Sequence, residues 1–319
     1  MKGVELTPEV PVEEVAALAA RAEAAGFDHV FASCHYNNRD PFAALTRAAA
    51  ATESIRLGPG VANPYETHPV KLASQVATLD ELSGGRAVFG VGAGDASTLQ
   101  NLGVERERPL RRVLESFEVA RDLWAGERVD HDGTFTARDA GLNYAVGDVP
   151  VFVGGQGPHM LRMAGKRADG VLVNASHPDD AAWAADRIAE GRAEREEPSE
   201  FTSAAFASVS VAEDGAAARE AARPPVAFIA AGAEPPVLDR HGIDRERASD
   251  IGDAIEAGAF TDAFDAVSDA MLDAFSIAGT PEEVEARIAA LREHLDGVVA
   301  GSPLGPDRAT AVDLLGDAF

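Results

Sequence analysis

Glu5, in "GVELTPE", is the first residue along the chain whose type and setting suit chemistry. Its neighbours Val4 and Leu6 belong to the packed face of a short strand-like run, so alternation turns the carboxyl to the opposite side. Burial there disfavours the charged form, and a carboxylic acid still partly protonated near neutrality suits a general acid. A solvated charge on a frayed first strand is the plain alternative. Cys34 and His35 open "CHYNNRD"; a lone histidine closing a loop is ordinarily just a satisfied polar residue, but Tyr36, Asn37 and Asn38 beside it favour binding. The stretch "LGPGVANPYETHP" sets Gly58, Pro59 and Gly60 before Val61, then Asn63, Pro64 and Tyr65. An ordinary turn needs only two such residues. In "GVGAGD", Gly92 to Asp95, the third glycine of a nicotinamide fingerprint is missing, and Asp95 either contributes charge or caps the next segment. "GGQGPHM" brings Gly154, Gly155, Gln156 and Gly157 to the start of a helix without side-chain bulk, so backbone N–H groups can approach an anion. Neither dinucleotide spacing nor a P-loop Lys-Ser/Thr accompanies it. Asn174 and Ser176 in "VNASHP" and Ser302 in "AGSPLGP" complete the set.

The elements that must position these residues alternate. Runs such as "HVFAS", "IRLGPGV", "RAVFGVGAG", "VPVFVGG", "GVLVNAS", "SAAFASVSVA" and "GVVAGSPLG" join "GVEL" as eight strand candidates, with helical periods between them. Several are apolar on both faces, as parallel strands covered by helices are. Eight such units predict a (β/α)₈ TIM barrel, one domain over residues 1–319, with a doubly wound open sheet as the competitor. In the barrel every candidate above falls at the carboxyl rim of the strands, where such barrels do chemistry. Segments 126–148 and about 213–279 break the alternation and read as insertions. In "GTPEEVEARIAALREHLDG", Thr280 and Glu283 form a capping box, Pro281 suits the first turn, and Val284, Ile288, Leu291 and Leu295 share one buried face.

With 53 acidic against 28 basic side chains the formal charge is −25, which repels nucleic acid and anionic membranes. Lys2, Lys71 and Lys166 are the only lysines, and the acidic residues are spread along helices, as in a solvated shell suited to high salt. A merely acidic cytosolic protein would look similar. The single cysteine excludes an intrachain disulfide and gives no metal cluster. With no apolar run approaching a membrane span, the sequence predicts a soluble cytoplasmic protein.

Taken together, "GVEL", "HYNNR", "GPGVANPY", "ASQVATLDELSGGRAVFGVGAGD", "GGQGPHMLRMAGKRADGVLVNAS", "VAFIAAGAEPPVLDRHGID", "AFSIAGTPEE" and "VVAGSPLGPD" resemble the coenzyme F420-dependent methylenetetrahydromethanopterin reductases of the bacterial-luciferase-like superfamily, in a haloarchaeal-type version. The resemblance implies a luciferase-like barrel that binds the deazaflavin at its carboxyl rim. It implies a non-prolyl cis peptide at Gly60–Val61, in a bulge ending the third strand and backing the cofactor ring. It further implies that His35 and Asn63 contact the ring, that Gly154 to Gly157, Asn174 and Ser176 line its ribityl-phosphate side, and that Glu5 and Asp95 are catalytic. The expected substrate is a methylene-tetrahydropterin, carried by methanopterin or by folate, and the expected assembly a homodimer or homotetramer. Another F420-dependent alcohol or sugar-phosphate oxidoreductase, an FMN monooxygenase and a non-catalytic cofactor-binding protein are the competing readings.

Overall fold

The computed structural model describes the backbone of residues 1–319 and every side chain but that of Ser97. The strands are β1 (Lys2–Glu5), β2 (His29–Ala32), β3 (Arg56–Pro59), β4 (Phe89–Val91), β5 (Val129–Asp132), β6 (Thr136–Ala140), β7 (Val151–Gly155), β8 (Gly170–Asn174), β9 (Thr202–Val211), β10 (Ile277–Gly279) and β11 (Gly297–Leu304). Eight of them, in the order β3-β2-β1-β11-β9-β8-β7-β4, run parallel. Backbone bonds from Val88 N to Leu57 O (2.9 Å) and from Ala62 N to Gly90 O (2.9 Å) join β3 to β4 and close a (β/α)₈ barrel. All eight expected runs are strands of that barrel.

Alternation divides the core in two. Phe31, Val88, Phe152, Leu172, Ala204 and Val299 fill the barrel's interior, while Val4, Val30, Leu57, Val91 and Val298 face the helices in the larger cluster. Helices Pro41–Ala51, Pro69–Ser83, Pro158–Arg167, Pro178–Arg192 and Pro281–Arg292 each start on a proline, which fits the first turn because its missing N–H would have no intrahelical acceptor. The capping box is present: Thr280 N donates to Glu283 Oε2 at 2.9 Å, and Glu283 N to Thr280 Oγ1 at 3.4 Å.

One irregularity shapes the rim. Leu57 faces Ala87 and Ala62 faces Val91, so five steps along the β3 side match four along β4, a one-residue bulge over Gly58–Val61. The two backbones come so close that a Cβ on Gly58 would lie 2.2 Å from Val88 O, and one on Gly90 1.9 Å from Pro59 O. Only glycine tolerates that approach. The Gly60–Val61 bond is cis.

Segment 126–148 holds the antiparallel β5–β6 hairpin. In segment 213–279, helix Gly215–Gly232 lies against β9 and β10, and shorter helices Pro235–Arg240, Arg245–Glu256, Phe260–Asp265 and Asp269–Phe275 follow. They enclose a second apolar cluster that includes Val226, Leu238, Ile251, Met271 and Phe275.

Candidate active site

A cavity of about 650 Å³ is lined by Trp124, Val149, Ala168, Asp169 and Ser199, residues that precede strands or close helices. It therefore opens at the amino end of the barrel, away from the rim where such folds do chemistry. Its cations are already engaged: Arg121 with Asp169 at 2.6 Å, Lys166 with Glu194 at 3.0 Å, Arg167 with Glu118 at 2.6 Å, and Arg195 with the carbonyls of Gly165 and Ala168 at 2.7 and 2.6 Å. The candidate site lies at the other end.

There the structure gathers most of the residues singled out in the sequence. Glu5 ends β1 on the interior side, in step with Gly3, whose Cβ position would meet Val299 of the inner cluster at 2.8 Å. It is 3% exposed, so the frayed-strand alternative is excluded. Thr7 Oγ1 donates to its Oε1 at 2.9 Å and Ser302 N to its Oε2 at 3.1 Å, which fixes the carboxyl plane. Thr7 escaped the sequence reading because nothing in "ELT" distinguishes it from a turn residue.

Val61, the last residue of the bulge, projects its methyl groups toward Gly92, just after β4, and Gly154 of β7. A Cβ on Gly92 would sit 2.6 Å from Val61 Cγ2, and one on Gly154 3.0 Å from Cγ1. These glycines thus make room for Val61, and the result is a floor of backbone and one small apolar side chain. Ser33, on the inward parity of β2 after Phe31, leaves its buried Oγ without a hydrogen-bond partner, an unmet polar group of the kind a bound molecule or water normally satisfies.

Beside this floor Cys34, His35, Asn63, Glu66 and Gln75 line a cavity of about 250 Å³. His35 is exposed, and Asn63 is buried. Asn63 holds the loop as an Asx turn: its Oδ1 accepts from Glu66 N at 2.9 Å and its Nδ2 donates to Glu66 Oε1 at 2.7 Å. Arg112, which the sequence reading missed, donates from Nη2 to Pro64 O at 2.7 Å and lies over the Tyr65 ring at 5.3 Å. Burial, with the Glu66, Asp40 and Glu5 carboxylates adding to it, pushes the Cys34 thiol well above its ordinary range. That direction disfavours the thiolate that a nucleophilic role would require.

Asp95 follows β4, is exposed, and caps helix Ala96–Asn101 by accepting from Thr98 N at 2.9 Å. The capping role foreseen as its ordinary alternative is therefore present. Gly154 and Gly155 end β7, and Gln156 and Gly157 project into solvent. Helix Pro158–Arg167 starts at Gly157 with no side-chain cap and no acidic residue in its first turn. The N–H groups of His159 and Met160 have no acceptor within the helix, which leaves a positive helix end open at the rim. Asn174 ends β8 exposed, and Ser176 is buried, its Oγ accepting from Ser208 N of β9 at 3.2 Å. No three-residue cluster suited to a metal ion exists among the described residues.

This rim can hold a flat ring on the Val61 floor, an anionic tail at the 158–167 helix end, and a carboxyl group of fixed orientation beside the ring. The family model of luciferase-like monooxygenases matches residues 2–296. The 5,10-methylenetetrahydromethanopterin reductase of Methanolobus tindarius is 44% identical over 98% of this chain and 98% of its own length. That of Archaeoglobus fulgidus is 42% identical over 98% and 97%. The solved coenzyme F420-dependent tetrahydromethanopterin reductase from Methanopyrus kandleri superposes with a TM-score of 0.93 at 38% identity, covering 99% of this chain and 97% of that one. An F420-dependent secondary alcohol dehydrogenase shares the fold, with a TM-score of 0.80 at 22% identity over 100% and 98%. The chain belongs to the luciferase-like monooxygenase family and, within it, groups with the 5,10-methylenetetrahydromethanopterin reductases.

Proposed function

We propose that the protein is a coenzyme F420-dependent oxidoreductase that reduces the methylene group of a methylene-tetrahydropterin to methyl. The observation that carries this reading is the end-to-end likeness to reductases of that substrate at 42–44% identity. The rim fits the cofactor on its own terms. The Val61 floor and its flanking glycines suit a planar tricycle, the unsatisfied Ser33 hydroxyl suits a heteroaromatic edge, and the uncapped helix end suits a phosphate. When bound, reduced F420 supplies a hydride.

The chain's own residues do the rest. Gly60 and Val61 back the ring, His35 and Asn63 flank it, and Gly154, Gly155, Gln156, Gly157, Asn174 and Ser176 border the ribityl-phosphate tail. Ring and pterin are held together, so proximity contributes to the rate. Glu5, oriented by Thr7 and Ser302, gives a proton to N10 of the substrate. This opens the five-membered ring toward an N5 iminium cation. Asp95 adds negative charge at the mouth, which favours that cation.

The finer setting is a salt-adapted, haloarchaeal-type, cytoplasmic enzyme that self-associates. The charge of −25 and the three lysines support the first point. No helix among the described residues is long and apolar enough to cross a membrane. Phe228 and Phe260, each about half exposed and 6.4 Å apart between ring centres, form an aromatic patch that a second copy would cover. The deciding experiment mixes purified protein in molar salt with reduced F420 and methylene-tetrahydromethanopterin or methylene-tetrahydrofolate, following deazaflavin oxidation. Oxidation with either pterin is expected, and the preferred pterin names the substrate. Oxidised F420 reduced by a secondary alcohol or sugar phosphate, with neither pterin active, would overturn the reading.

A further inference from the structure

The motif "EPPVLDRHGID" lies in the helical insertion, far from the barrel rim in sequence, and nothing in the proposed reaction uses it. Its Arg240 and His241 close on one carboxylate of the barrel. His241 Nε2 donates to Asp180 Oδ2 at 2.8 Å, and Arg240 Nη1 donates to Asp180 Oδ1. The side chains are 11% exposed at Asp180, 23% at Arg240 and 6% at His241, so this is a largely buried, two-pronged clasp. Arg240 also lies 4.7 Å from the centre of the Trp183 ring, one helical turn after Asp180. His177 stacks edge-on against His241 at 4.9 Å and caps the same helix through its Nδ1, which accepts from Asp179 N at 3.2 Å. That acceptor role requires a neutral ring, and burial, Arg287 and His241 hold the His177 pKa below its ordinary value.

The clasped helix, Pro178–Arg192, begins directly after the loop that carries Asn174 and Ser176. That loop is held on its other side by β9 through Ser208 N and Ser176 Oγ. It is therefore suspended between the barrel wall and the insertion, which grips the first turn of the following helix at Asp180 and meets the loop itself at His177.

We propose that Asp180, Arg240 and His241 are positioning residues for the cofactor tail: the insertion, through this clasp, sets the loop 174–177 against which the ribityl-phosphate side of F420 rests. This rests on the functional reading above. It assigns the insertion a role in affinity for the cofactor, and none in the hydride step. Asp180→Asn keeps the shape but removes the charge that both partners share. His241→Gln keeps an N–H donor of different reach, and Arg240→Lys keeps the charge without the fork or the stacking plane.

The test measures the Kd of oxidised F420 by fluorescence titration, with a thermal melt of the unliganded protein and turnover at saturating cofactor alongside. Asp180→Asn is expected to raise Kd about tenfold, in keeping with the loss of charge-assisted hydrogen bonds, with turnover at saturation within about twofold of wild type. Arg240→Lys and His241→Gln fall between. A folded Asp180→Asn protein whose melting temperature drops while its Kd is unchanged overturns the proposal, because the clasp is then merely structural. So does a loss of turnover at saturation as large as the loss of affinity. If Asp180→Asn does not fold, the two milder variants decide by the same readings. Wild-type protein that fails to bind F420 at all overturns the functional reading instead.

Discussion

Gly157→Ala separates binding from folding more cleanly than any other substitution at the rim. Gly157 is the N-cap of helix Pro158–Arg167, with φ −77° and ψ 152°, a conformation open to any L-residue. A Cβ built there meets nothing within 4 Å. Alanine is a poorer N-cap than glycine, at a cost of about 0.5–1 kcal/mol. Against this, replacing glycine restricts the unfolded chain and returns about 0.4–1 kcal/mol. The two nearly cancel, so the unliganded protein should melt within about 2 °C of wild type. A bound anion at this helix end needs close approach to the N–H groups of the first turn, and the added methyl at the N-cap is expected to narrow that approach. The expected result is a Kd for oxidised F420 raised at least about tenfold, equivalent to about 1.4 kcal/mol, read by fluorescence titration. Gly232→Ala is the control: it too meets nothing within 4 Å, at the far end of helix Gly215–Gly232, and should leave the Kd unchanged while raising the melting temperature slightly, since no N-cap is weakened there. A Gly157→Ala protein that melts normally and binds F420 as wild type does would remove the 158–167 helix end from the cofactor site.

Three further outcomes follow from the same geometry. Glu5→Gln retains the size and hydrogen-bonding reach of the side chain but cannot donate an acid proton, so turnover should fall about 10²- to 10⁴-fold with F420 affinity unchanged; equal turnover in a stopped-flow assay would exclude Glu5 as the acid. Glu115 is a pH sensor of stability. Burial opposes its ionisation, but Thr134 N and Oγ1, each at 2.7 Å, Arg111 and His131 outweigh burial and hold the pKa at about 2 rather than 4.5. Its stabilisation is therefore complete above about pH 4.5 and lost as pH falls toward 2. After solvent screening it is worth about 1–2 kcal/mol, and Glu115→Gln should remove that part of the acid dependence of the melting temperature. Replacing both Phe228 and Phe260 by Glu should convert an assembly to monomers in sedimentation, whereas wild-type sedimentation as a monomer would dismiss the patch as an interface.

How much of this was legible in the sequence depended on the range of the interaction. The eight strands were, because each is a run of β-branched and small residues closed by glycine or a helix cap, and those signals are local. The close approach of Gly58 to Val88 and of Gly90 to Pro59 was not, since each glycine is explained by a partner about thirty positions away. The bulge itself was expected only through resemblance. Helix Gly215–Gly232 runs through Pro224 and Pro225, a residue type that ordinarily breaks a helix interior. Burial of Ala222, Val226, Ala227 and Ala230 in the insertion's own core overrides the local cost. The Asp180–His241 clasp joins residues 61 positions apart, and no local pattern marks it.

The rim owes its shape chiefly to backbone. Its floor is a bulge and one valine, the proposed anion site is a bare helix end, and the proposed acid Glu5 and the unpartnered Ser33 stand on neighbouring inward-facing strand ends. Backbone features of this kind keep their form under most side-chain changes elsewhere, so a barrel with this rim can retain a flat cofactor while the loops around it diverge. The parts that distinguish one substrate from another must then be carried by the segments that reach over the rim. In this chain those are the 35–40 loop, the 63–66 turn fastened by Arg112, and the 174–177 loop gripped by the insertion. A clasp that depends on one buried carboxylate makes the last of these the most easily loosened by a single substitution, and the most direct place to change affinity without touching the reacting groups.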